Sequence, residues 1–113
     1  MKFRWMLILC LVAIPLAAQT NRAADLSHLQ AILLDAQNDK VTIGADVWRI
    51  TGNEAVALAN RIAASSKSSA ARDLRTHVRE MRDAAVKGDA AGARSHAGMA
   101  LPFANQLADS MAK

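Results

Sequence analysis

The sequence predicts an all-α protein: a small antiparallel up-down four-helix bundle that follows a cleaved N-terminal signal peptide. Three observations predict it. The chain beyond residue 18 is rich in Ala, Leu, Arg, Asp and Gln, most of them good helix formers. Apolar residues recur at three- and four-residue steps in four successive segments. The links between the later segments carry helix stop and start residues, a serine run and then a Gly-Asp pair.

The first element is the signal segment, residues 1–18. Lys2 and Arg4 form a positive start, Met6 to Ile14 an apolar run, and Pro15 interrupts it before the small pair Ala17-Ala18. That order of features is the pattern of a secretory signal. The run is too short to span a bilayer comfortably. Cleavage is expected after Ala18, although Leu16 is larger than the small residue usual three positions back. Cys10 follows Leu9 and so lacks the small neighbour of a lipoprotein cysteine. Removing the segment removes the single cysteine, so the mature chain forms no disulfide. Lys2 and Arg4 leave with it, and the net charge falls from +4 to +2. The expected location is outside the cytoplasm, in a bacterial periplasm or secreted. The membrane is met only through the signal before cleavage. Trp48 and Phe103 are then the only aromatics. A single-strand nucleic-acid binder needs aromatic platforms in a basic groove, so that class is disfavoured.

Residues 19–24 are expected to be a flexible leader and 25–113 the helical domain. Leu26, Leu29, Ile32, Leu33 and Ala36 mark a first helix from Asp25 to Asn38, capped by Asp25 or Ser27. Val41 to Ile50 is β-branched enough to suggest a strand, and Thr51 with Glu54 makes a capping box. A lone strand would find no partner, so the segment is read as helix, either one run from about Ile43 to Ala64 weakened at Gly52 or a new helix starting at the capping box. Ser65 to Ser69 is a connector whose last serines cap a third helix over 70–87. Gly88 suits the left-handed C′ position, and Asp89 caps a fourth helix over 90–111. Pro102 falls inside that helix and is expected to kink it. A chain of this size buries about 60–65% of the surface exposed on unfolding, and many of its core residues are alanines. Close helix packing, a ligand or a second subunit must supply the rest.

The chemistry concentrates around Gly88. On the third helix Leu74, Val78, Met81 and Ala85 define the inner face, with His77 roughly 60° from its centre. On the fourth, Ala93, Ala97, Ala100, Ala104 and Leu107 face inward, and His96 is offset by a similar angle. Met81 lies seven residues before Gly88 and His96 eight after it, so a hairpin places them at one height. His77, Met81 and His96 are therefore the candidate metal ligands. Two imidazoles and a thioether suit copper, and imidazole also suits zinc. Asp73 and Glu80, four before and three after His77, are candidates to orient its ring or to ligate a harder metal. Met99 rotates away from the inner face, and His28 joins only if its helix turns it inward. An up-down topology looks like that of the periplasmic four-helix cytochromes in architecture. The chain lacks Cys-x-x-Cys-His and has no methionine on the first helix, which disfavours haem.

Arg72, Arg75, Arg79 and Arg82 form a stripe at helical spacing. It could meet an acidic partner, or simply be a solvated flank neutralised by Asp73, Glu80 and Asp83, with Arg79–Asp83 as one pair. Trp48 is expected half-buried at the bundle's end. No nucleophile–base set is visible, since Ser95 and His96 diverge by about 100° on a helix. The expected protein is a non-catalytic exported bundle. It either binds copper or zinc, or docks onto a partner or a second copy through an alanine-rich face or the arginine stripe.

Overall fold

The computed structural model describes residues 22–38 and 43–112, and every regular element among them is helical. Helix α1 covers residues 22–37. It is followed by α2 (Ala45–Ser65), α3 (Ser69–Val86) and α4 (Ala90–Ala112). The signal segment of residues 1–18 lies outside the described residues. Residues 22–24, read from sequence as leader, are already helical.

Each helix touches its neighbours in sequence, and the last closes onto the first. Asp25 and His28 of α1 meet Arg61 and Glu54 of α2. Arg79 of α3 donates to Asn60 of α2 at 3.3 Å. Glu80 of α3 meets His96 of α4. Gln30 of α1 donates to Asn105 of α4 at 2.9 Å. Paired contacts give the direction: Asp25–Arg61 with His28–Glu54, Asn60–Arg79 with the close approach of Gly52 to Arg82, His96–Glu80 with Phe103–His77, and Gln30–Asn105 with Ala36–Arg94 each rise in number on one helix as they fall on the other, so neighbours run antiparallel. This is the expected up-down four-helix bundle.

The inner faces follow heptad-like steps. Leu26, Leu29, Leu33 and Ala36 are buried on α1, and Trp48, Gly52, Ala55, Ala59 and Ile62 on α2. Ala71, Leu74, Val78, Met81 and Ala85 are buried on α3, and Ala93, Ala97, Ala100, Ala104 and Leu107 on α4. Alternating steps of three and four keep an apolar seam turned to the partner along the whole helix. Among the described residues no polar or charged residue is buried, so all polar chemistry sits on the flanks.

Several ends follow the sequence. Ser68 Oγ accepts from the Ala71 amide at 3.2 Å and so caps α3. At the other end Gly88 has φ +80°, with its amide on Ala85 O at 3.1 Å. The Asp89 amide reaches Ala84 O at 2.8 Å. Together these are the paired bonds of a Schellman motif, which needs a left-handed C′ residue. Asp89 Oδ1 then accepts from the Gly92 amide at 2.9 Å and starts α4. The reversal at Gly88 that lays α3 beside α4 is therefore specified by two adjacent residues.

Other expectations are revised. The capping box at Thr51 and Glu54 starts no helix, because α2 already runs through it, and Glu54 turns instead to His28 at 3.0 Å. Asp25 and Ser27 lie inside α1 rather than capping it. Asp25 makes a two-pronged pair with Arg61, Nε to Oδ2 and Nη2 to Oδ1 both at 3.0 Å. The hydrogen bond and then the charge of Asp25 push the Arg61 guanidinium further above its ordinary range. Trp48 is more than half-buried, at 4% exposure, and the Arg94 guanidinium lies 5.8 Å from its ring centre. Arg94 also donates to the carbonyl of Ala36, at 3.2 Å, and to that of Asn38. One side chain at the start of α4 thus covers the tryptophan and satisfies the carboxyl end of α1.

Candidate metal centre

The inner seam of α3 and α4 fixes what lies beside it. His77 is one residue before the buried Val78, and His96 one before the buried Ala97. Each ring is therefore carried at the edge of the core. Their side chains are 26% and 30% exposed, as the helical wheel requires of flanking positions. The Gly88 reversal puts them on the same flank, with ring centroids 6.3 Å apart and planes 27° from parallel. Phe103, seven residues further along α4, also stacks on His77, at 5.6 Å and 10°. Its ring limits where the imidazole can swing.

Glu80 stands between the two imidazoles. Its Oε2 lies 2.9 Å from His96 Nδ1 and 3.7 Å from His77 Nδ1. One ligand atom from each of His77, Glu80 and His96 lies within 4.8 Å of the others. Neither Nδ1, although buried, meets any acceptor in hydrogen-bond alignment. The 2.9 Å approach is therefore a proximity contact: alignment, more than distance, decides whether a hydrogen bond exists. Two buried ring nitrogens without an aligned partner, facing one carboxylate oxygen, form an unsatisfied donor set. A tetrahedral metal with bonds of about 2 Å separates its ligand atoms by roughly 3.3 Å. The two carboxylate–imidazole distances fall on either side of that value.

Of the residues singled out in sequence, His77 and His96 are brought together, and Glu80 joins them directly instead of standing behind them. Met81 is fully buried in the core seam beside them. Asp73 is exposed on α3 and has no ion pair among the described residues. His28 belongs to the separate contact with Glu54 on α1 and α2. Met99 is 48% exposed. The arginine stripe does not behave as one unit. Arg79 meets Asn60, and Arg82 pairs with Asp83 at 3.1 Å, so the pair expected between Arg79 and Asp83 is replaced by these two. Arg72 is exposed and Arg75 half-buried. Phe103 was not singled out from sequence as a neighbour of the site. The signal was available, because Phe103 follows His96 by seven residues and so returns to the same helix face.

No protein-family model, curated protein or solved structure matches the chain. The functional reading therefore rests on geometry and chemistry alone.

Proposed function

We propose that this is an exported, non-catalytic helical bundle that binds a divalent transition metal at His77, Glu80 and His96. The observation that carries the reading is the convergence of one carboxylate oxygen on two buried imidazole nitrogens that have no aligned partner. Two imidazoles and one carboxylate form a donor set for zinc or copper(II), leaving a fourth position open. Met81 is the proposed soft donor that would extend the set toward copper(I). Its side chain is part of the core, so the hard donor Glu80 makes zinc or copper(II) the first expectation. Export is proposed from the charge and hydropathy pattern of residues 1–18.

The test is calorimetric titration of the full chain with Zn²⁺ and Cu²⁺. Wild type is expected to bind one equivalent. His96→Ala and Glu80→Gln should each weaken binding by at least about 10-fold, the lower end of what even an outer-shell partner contributes. Met81→Leu keeps the core volume and reports only on the thioether. If wild type, His96→Ala and Glu80→Gln give superimposable isotherms, the centre does not exist.

A second reading has its own observation. Val47 and Ile50, three residues apart on α2, are 55% and 62% exposed, and Val86 on α3 is 61% exposed. Apolar side chains left in water suit docking onto another protein or a second copy, with Arg72 and Arg75 available to an acidic partner. Sedimentation analysis of wild type and Ile50→Asp separates a self-associating bundle from a monomer.

A further inference from the structure

At the end of the bundle opposite the Gly88 turn lies an open cleft of about 500 Å³. Its volume is within the range of small-molecule sites, roughly 300–1,000 Å³. Its lining is mixed, and Ile62, Ala70 and Leu107, all buried in the core, form the apolar part of the wall together with Met111. Arg22 is on the lining, and its Nε is buried with no hydrogen-bond partner. That atom is closed to a ligand, but the other N–H groups of the guanidinium can hold an anion in the cleft by charge-assisted hydrogen bonds. Ser66, Ser68, Ser69 and Ser110 add hydroxyls to the lining, and Gln106 an amide. No aspartate or glutamate lines the cleft among the described residues, so nothing there competes for the guanidinium.

We infer that this cleft binds a single-chain amphiphile with an anionic head, the head on Arg22 and the chain against Ile62, Ala70 and Leu107. An apolar wall alone would take any hydrophobe, and a lone surface cation would take any anion. The two together, within one cleft, select a molecule that has both. The site is separate from the histidine pair and does not depend on the metal reading.

The probes are decanoate, decyl phosphate and decanol, each titrated below its micellar concentration into the full chain and followed by calorimetry. At least one anion is expected to bind one to one, at least about 10-fold more tightly than decanol, the scale of a charged hydrogen bond. Which anion binds better assigns a carboxylate or a phosphate head. Arg22→Gln should reduce the anion to the level of decanol. Ala23→Trp fills the cleft from an exposed lining position and should abolish binding of all three. Both substitutions avoid the core, so helical circular dichroism should be unchanged. The inference is overturned if neither anion binds, if anion and decanol bind alike, or if Ala23→Trp leaves binding intact.

Discussion

At Gly52 α2 packs against the backbone of α3, and replacing it with alanine sets two effects of known size against each other. A methyl group there would lie 3.1 Å from Arg82 Cγ, 3.3 Å from Arg82 Cα and 3.4 Å from Arg82 Cβ. The Cγ atom belongs to a flexible side chain and can move. The Cα atom belongs to the α3 backbone, so the two helices must separate by a few tenths of an ångström. Overfilling a packed contact costs about 1–3 kcal/mol. Against this, alanine is favoured over glycine in a helix interior by about 1 kcal/mol. The net expectation for Gly52→Ala is a loss of about 1 kcal/mol. Gly98 on α4 supplies the control, because a methyl there would meet only Gln37 Oε1, at an ordinary 3.6 Å. Gly98→Ala should therefore stabilise by about 0.4–1 kcal/mol. At about 4–8 °C per kcal/mol for a domain of this size, the two melting temperatures should differ by roughly 6–16 °C. Thermal melts of the wild type and both variants by circular dichroism give the answer. If Gly52→Ala is stabilised as much as Gly98→Ala, the α2–α3 approach is looser than described, and the packing argument fails.

Met81→Ala should lower stability in urea by about 2–5 kcal/mol, because its side chain is fully buried, whereas Met81→Leu should stay within about 1.5 kcal/mol. Gly88→Ala should cost about 1–2 kcal/mol in the same assay, since φ +80° is unfavourable for a residue with a Cβ. Arg94→Ala should loosen the end of α1, read as faster amide hydrogen exchange in its last turn, with a loss of roughly 1 kcal/mol. Zinc at 100 times its wild-type dissociation constant should raise stability by about 2.7 kcal/mol in wild type and, with binding weakened at least 10-fold, by no more than about 1.4 kcal/mol in His96→Ala at the same zinc concentration.

The helices were legible because their signals are local. Steps of three and four placed Leu74, Val78, Met81 and Ala85, and the alanines of α4, on the buried faces they occupy. The Gly88-Asp89 reversal was legible because a left-handed residue followed by a capping carboxylate has few other uses. Thr51 and Glu54 left open whether a new helix starts there, and the continuous α2 decides for one helix, since a capping box also occurs within helices whose start is set elsewhere. The part played by Glu80 was only half legible. Its spacing from His77 was visible, but its approach to His96 depends on how α4 is rotated against α3. That rotation is a property of packing, carried by no short window of sequence. For the same reason the partner of Arg79 was assigned within α3, when it comes from α2.

Ala93, Ala97, Ala100 and Ala104 all reach zero exposure, so the face that α4 turns inward is built almost wholly from single methyl groups. Short side chains let helix axes approach toward the lower end of the usual 8–10 Å. That spacing works like the gap of a caliper, setting how near His96 stands to Glu80. A valine at position 97 would widen the gap without altering any donor. A substitution along this stripe therefore acts on the histidine cluster beside it as well as on the core.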